Sequence, residues 1–114
     1  YGVADCVVIA DAVGIPIIFD DFHFRLKSDG MRYEDAIDRV KATWRDARHG
    51  KPILDYSSQA LDKRFGSHAA SLDEDDFEGF LDRIGGLDCD VMLEIKDKNL
   101  SAVRALAILR KRGL

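Results

Sequence analysis

Ile15-Pro-Ile-Ile-Phe-Asp20 is a short apolar run that ends in an acid. Gly14 precedes it and stops a helical pattern formed by Val3, Cys6, Val7, Ala10 and Val13. Such a run, Gly-bounded and with Pro16 near its start, reads as a buried parallel strand over Ile15–Phe19. The same device recurs twice. Pro52–Tyr56 carries Leu54-Asp55, and Val91–Ile95 carries Leu93-Glu94. Between the strands lie helical patterns. Ile37, Val40, Trp44 and Ala47 share one face of a helix that His49, Gly50 and Lys51 close. Ser71 and Glu74 have capping-box spacing, which starts a helix near Asp73. Its stripe is Phe77, Phe80, Leu81 and Ile84, and Gly85-Gly86 ends it. A last helix carries Leu100, Val103, Leu106 and Leu109, with Arg110, Lys111 and Arg112 at its C-terminus, where cations suit the helix dipole.

The predicted order is therefore α–β–α–β–α–β–α. This alternation implies an α/β fold with three parallel strands and right-handed crossovers. A closed (β/α)8 barrel needs eight such units and about 250 residues. The chain has 114 residues, so residues 1–114 are expected to form one domain, either a small three-layer unit or part of a barrel. An opening residue of Tyr1 rather than Met favours the latter expectation, a piece of something longer.

Composition narrows the function classes. The chain is 46% hydrophobic and 33% charged, which excludes a disordered or collagenous chain. Only Cys6 and Cys89 are present. Two distant cysteines make no metal or redox motif and read as small buried hydrophobes in a reducing, cytoplasmic compartment. No apolar run reaches the roughly 18 residues of a membrane span. The net charge of −4 does not advertise nucleic-acid binding, so an anionic ligand would need a local patch or metal ions. There is no glycine-rich phosphate loop, and no Ser-His-Asp or Cys-His arrangement suggests itself.

The acids are the informative feature. Asp20, Asp55 and Glu94 each stand at a strand end, 35 and 39 residues apart, about one strand–helix unit each. Parallel neighbours bring all three to the C-terminal edge of the sheet, where α/β proteins place their active sites. Converging carboxylates repel, and burying them is costly. They must bind protons, bond to loop amides, or surround a cation. A divalent ion is the simplest cation for hard oxygen ligands. His23 follows Asp20 at Asp-x-x-His spacing, and His68 lies in the loop from Ser57 to Ser71, which is long for a βα connection. Imidazole with carboxylate selects Mn, Zn or Fe over Ca. His49, beside Arg48 and Lys51, reads as solvated surface. Arg25, Lys27, Lys63 and Arg64, with Phe22, Phe24, Tyr56 and Phe65 nearby, are candidate contacts for phosphates and bases.

These residues carry a family resemblance. Gly14-Ile-Pro-Ile-Ile-Phe-Asp20-Asp-Phe-His23 resembles the segment of UV-damage endonucleases in which a Gly-Ile-Pro strand ends in Phe-Asp-x-His-His. Ala42-Thr-Trp44 is similar to the family's Thr-Trp. Pro52-Ile-Leu-Asp55-Tyr-Ser-Ser58 resembles its strand ending in His-Tyr-Ser-Ser, and Ser67-His68-Ala69 its His-Ala or His-Ser-Asp loop. Asp90-Val-Met-Leu-Glu94-Ile-Lys-Asp-Lys98 looks like its Asp-Ile-Met-Leu-Glu-Ala-Lys-Asp-Lys. The likeness runs over essentially the whole chain. Asp-x-x-His is shared more widely, with endonuclease IV and other xylose-isomerase-like barrels.

The resemblance implies the C-terminal part of a TIM barrel, with a manganese cluster (Zn or Mg being alternatives) above the strands. It implies metal-assisted hydrolysis of a phosphodiester in damaged double-stranded DNA by the full-length protein. Asp20, His23, His68 and Glu94 match the family's metal positions, with Asp20 and Glu94 the candidate catalytic acids; Asp55 is a further candidate ligand. The departures are Phe24 where the family has a second His, Asp55 where it has a His before Tyr-Ser-Ser, and Ile53 where it has a Lys. The family also supplies a Glu ligand just ahead of the position of Tyr1. An isolated partial barrel is expected to be inactive and to self-associate through its open edges. Two rivals remain at this level: a sugar isomerase or epimerase of the same superfamily using the same acids and metal, and a non-enzymatic truncated homologue.

Overall fold

A computed structural model describes residues 1–60, 64 and 66–114. Among these, helix α1 (Val3–Val13) leads into strand β1 (Phe19–Asp20), helix α2 (Asp21–Leu26), helix α3 (Tyr33–Ala42), strand β2 (Ile53–Tyr56), helix α4 (Glu74–Ile84), strand β3 (Asp90–Leu93) and helix α5 (Asn99–Lys111). The strands form one open parallel sheet in the order β1-β2-β3. Phe19 pairs with Leu54 and Asp20 with Asp55. Asp55 then pairs with Met92 and Tyr56 with Leu93. This register sets the acid of each strand at the same end of the sheet.

Alternation along the strands sorts the side chains. Leu54 and Tyr56 are 0% exposed and face the helices, while Ile53 and Asp55 turn to the other face and stay half-buried. Phe19 does the same in β1, and its burial leaves Asp20 on the side of Asp55. The helix-facing layer is aromatic. Tyr56 meets Phe77 at 5.1 Å and Phe80 at 4.9 Å between ring centroids. Phe19 lies 5.3 Å from both Phe24 and Tyr33. Edge-to-face and tilted pairs of this kind add to the burial of large apolar area, and so the core supports the sheet beneath its acidic edge.

Several sequence expectations are corrected. The expected strand Ile15–Phe19 pairs only at Phe19–Asp20. The backbone of Ile17 is satisfied instead by two side chains. Its N–H donates to Thr43 Oγ1 at 3.1 Å, and its carbonyl accepts from Trp44 Nε1 at 2.8 Å. Accordingly, Trp44 and Ala47 are not on the face of α3; the helix ends at Ala42 and Thr43-Trp44 form a clamp on the approach to β1. The helix expected to start near Asp73 does so, but its cap is Asp73 itself, whose carboxylate accepts from Asp76 N. Ser71 Oγ donates to Asp97 Oδ2 at 2.8 Å rather than capping. In α1 the stripe is half-buried at Val3, Cys6 and Val7 and exposed at Val13, with Ala10 alone fully inside, and Cys6 and Cys89, expected to be buried, are both half-buried.

In α5 the predicted stripe faces inward only at Leu109, which is half-buried against the core; Leu100, Val103 and Leu106 are exposed, and Ser101, Ala105 and Ile108 are buried. Small residues let the helix approach closely, and Ser101 Oγ accepts from Leu72 N at 2.9 Å. Leu100 and Leu106 are left on the far side. Among the described residues no helix is long and apolar enough to cross a membrane.

The Thr43-Trp44 clamp carries a testable consequence. Replacing Trp44 by Phe keeps a ring in place but leaves the Ile17 carbonyl without its donor. A partly buried acceptor left unpaired costs about 1–3 kcal/mol, and urea denaturation should show a loss of that size for Trp44→Phe with an unchanged slope.

Candidate metal centre

The Asp-x-x-His spacing has a local cause. Asp20 is the N-cap of α2, and His23 is the third residue of that helix. Asp20 Oδ1 accepts from His23 N at 2.9 Å, the bond expected between an N-cap side chain and the third helical amide. The same turn brings His23 Nδ1 to Asp20 Oδ2 at 2.5 Å. A strand end followed at once by a helix thus presents a carboxylate and an imidazole as one unit, with His23 Nε2 left as the second ring nitrogen. Helix α2 is absent from the α–β–α–β–α–β–α order expected from the hydrophobic pattern; its signal is Asp20 itself, an N-cap residue type followed by Phe22, Phe24 and Leu26.

Asp20, Asp55 and Glu94 each offer a carboxylate oxygen, and these oxygens all lie within 4.8 Å of one another. At an effective dielectric of about 20, two full charges at that distance repel by about 3 kcal/mol. The strain is visible at Asp55. Burial, then the charges of Glu94 and Asp20, push its carboxyl above the usual value, against a smaller opposing pull from His23. Asp55 Oδ1 is also buried without any hydrogen-bond partner. A buried carboxylate oxygen that no donor reaches, beside two further carboxylates, is the donor set a hard divalent cation requires. The residues present therefore fit a metal ion.

His68 reaches the centre along the Ser57–Ser71 loop. That loop folds back on itself: Gln59 and His68 form an antiparallel bridge, Ala69 N donates to Ser58 O at 2.8 Å, and Lys96 N donates to Ala69 O at 3.2 Å. The His68 arm is thereby laced between the extensions of β2 and β3. His68 Nε2 stands 3.9 Å from Glu94 Oε2. Buried Phe22 packs edge-on against both imidazoles, 5.4 Å from His68 and 5.6 Å from His23. The two histidine rings are 6.4 Å apart. All five candidate ligands thus share one end of the sheet.

The candidate phosphate contacts are distributed differently. Arg25 is not free to meet a ligand. Its guanidinium holds Asp21 Oδ2 at 2.9 Å, Asp76 Oδ1 at 2.9 Å and the Ser57 carbonyl at 3.2 Å. Burial pulls its pKa down, but the bond to Asp76 and the charges of Asp21 and Asp76 outweigh this and raise it. Lys27 is exposed and lines a cleft of about 290 Å3 together with Asp20, His23 and Phe24. Arg64 is exposed, and its carbonyl braces the loop by accepting from Gln59 Nε2 at 2.9 Å. Lys63 and Phe65 lie outside the described residues. Two cations that the sequence reading did not single out, Lys96 and Lys98, border an open cavity of about 720 Å3 with His68 and Glu94. Phe24, at the position of the resembled family's second histidine, is 8% exposed and belongs to the core. His49 is exposed, as read from its basic neighbours.

Comparison with known proteins gives the chain a family. The UV-endonuclease UvdE family matches residues 1–112. A UV DNA damage endonuclease of Clostridium perfringens (strain 13 / Type A) is 30% identical over 112 residues, covering 97% of this chain and 27% of that protein. The crystal structure of SacUVDE superposes with a TM-score of 0.89 at 35% identity, over 99% of this chain and 37% of that one. The chain thus spans between about a quarter and two-fifths of the relatives' lengths, and its three-stranded open sheet is that of a partial TIM barrel. With a family match over nearly its whole length, the chain belongs to the UV-endonuclease UvdE family.

Proposed function

We propose that this chain forms part of a UV-damage endonuclease and holds a divalent metal, manganese first, through Asp20, His23, Asp55, His68 and Glu94. The observation that carries the reading is the convergence of three carboxylates within 4.8 Å around the unpartnered Asp55 Oδ1. Oxygen at position 55, where the family motif has imidazole, makes the ligand set harder and favours Mn or Mg over Zn. A bound metal ion would supply a water of lowered pKa and a clamp on phosphate charge.

The remaining work falls to the protein's own groups. Asp20 orients His23 through the Oδ2–Nδ1 contact and fixes which ring nitrogen faces the centre. Glu94 and Asp20 lie beside the two imidazoles and are proposed as the acids that take or hold a proton from water. Lys27 and Arg64, with Lys63, are proposed to meet the DNA backbone. Such contacts position the duplex without reading its sequence, so damage must be recognised by other means.

The open sheet presents these ligands without enclosing a substrate. For the 114-residue chain alone, the expectation is metal binding without cleavage. Incubation with Mn and UV-irradiated duplex DNA should leave the DNA intact, and nicking beside lesions would overturn that expectation. The same openness leaves Val8, Ile9, Leu100, Val103, Leu106 and Met92 exposed. Exposed apolar area of this kind drives association, so sedimentation velocity should show oligomers that dissociate on dilution; a single monomer peak at high concentration would exclude them.

The carboxylate repulsion gives a test with a definite sign. A raised carboxyl pKa means that folded Asp55 holds its proton more tightly than the unfolded chain does. Its contribution is therefore favourable at low pH and is lost as pH rises through the raised folded value. Asp55→Asn removes that loss. At pH 7 in EDTA the variant should melt several degrees above the unmodified chain, about 4–8 °C for each kcal/mol of relief, with the gap closing near pH 4. Added Mn should stabilise the unmodified chain and leave Asp55→Asn nearly unmoved. Stabilisation of both alike by Mn would remove Asp55 from the ligand set.

A further inference from the structure

Directly behind the carboxylates, on the helix-facing side of the sheet, lies a second charged assembly. Asp21 follows Asp20 in the chain, and its side chain is 0% exposed. A buried carboxylate survives only when charge and hydrogen bonds are both matched. Asp21 receives Arg25 Nε at 2.9 Å, Arg83 Nη2 at 3.3 Å and the Tyr33 hydroxyl at 2.7 Å. The rest of the Arg25 fork reaches Asp76, at 2.9 and 3.2 Å, and the Ser57 carbonyl. Asp76 Oδ2 in turn accepts from the Tyr56 hydroxyl at 2.6 Å. Tyr56 follows Asp55 in the chain, as Asp21 follows Asp20.

The chain of contacts therefore runs Asp21–Arg25–Asp76–Tyr56, and each end is the sequence neighbour of a metal-facing carboxylate. Strand alternation puts Asp55 on one face and Tyr56 on the other, and the turn from β1 into α2 does the same for Asp20 and Asp21. The β1–β2 ladder already pairs Asp20 with Asp55, and the link between Asp21 and Tyr56 holds the two residues that follow them, so it bears on how the two carboxylates are aimed. A planar guanidinium holds two carboxylates and a carbonyl in fixed directions, whereas an ammonium has three donors but no fixed fork. We propose that Arg25 is a positioning residue for the metal centre: through Asp21 and through Asp76–Tyr56 it sets how the Asp20 and Asp55 carboxylates are aimed and the seating of α2. This rests on the metal reading above, and it replaces a phosphate-contact role for Arg25.

The test uses the 114-residue chain with Mn2+ as the probe. Arg25→Lys keeps the positive charge, so the field at the centre is preserved while the fork is lost. Calorimetric titration should show Mn2+ affinity weakened about 10- to 100-fold, the range in which outer-shell partners of ligands act. Two readouts accompany it. The electron paramagnetic resonance spectrum of the bound Mn2+ should broaden or change form, and in EDTA the amides of residues 21–26 should exchange faster than those of α4. Tyr56→Phe, which removes one hydroxyl without disturbing the buried charge pair, should weaken Mn2+ binding less but in the same direction. It decides the matter if Arg25→Lys does not fold. Mn2+ affinity equal to that of the unmodified chain in folded Arg25→Lys or Tyr56→Phe, with an unchanged spectrum, overturns the positioning role and leaves the metal site standing. Failure of the unmodified chain to bind Mn2+ rejects the metal site itself, and the positioning role with it.

Discussion

Mutual repulsion among Asp20, Asp55 and Glu94 is the constraint around which this structure is organised. Parallel register forces the three carboxylates to one end of the sheet, and the tight core beneath gives them no room to spread. A domain with an unopposed cluster of this kind gives up stability, which is a common cost of a functional site. The cost is visible in one atom, Asp55 Oδ1, which is buried with no donor in reach. Elsewhere among the described residues the fold pairs its buried charges carefully, so the exception has a local meaning rather than signalling loose packing.

The contrast with Asp21 makes that meaning sharper. Asp20 and Asp21 are adjacent acids with opposite surroundings. Asp20 faces other carboxylates and is held by His23. Asp21 is fully buried and is met by two guanidiniums and a phenol. Strand-to-helix geometry separates them to opposite sides of the sheet, so one acid is available to a cation while its neighbour locks α2 to α3 and α4. A short strand that runs straight into a helix can thus end in a site residue and be anchored by the residue that follows it.

Much of this was legible from residue order. The alternation of apolar runs with helical stripes, and an acid closing each run, led to the parallel sheet and to the acidic edge. The Phe77, Phe80 and Leu81 stripe behaved as the spacing implied. The failures have physical causes. Trp44 looked like part of a helical face because its spacing from Val40 is four residues, yet its indole N–H is needed by the Ile17 carbonyl. Leu100, Val103 and Leu106 looked like a core face, yet Ser101 and Ala105 allow the closer approach, and close packing outweighs the larger side chains. Arg25 looked like a phosphate contact because it neighbours His23. No spacing rule could link it to Asp76, 51 residues away.

What residue order alone determined is which atoms stand at the strand ends: the hydrophobic period sets each strand, and the acid that ends the period sets the chemistry available. What only the folded chain decided is which of those charges meet each other. Side-chain partners far apart in sequence are chosen by the crossing of helices over the sheet, and a carboxylate becomes a candidate ligand or a structural anchor according to whether that crossing brings it a guanidinium or another acid.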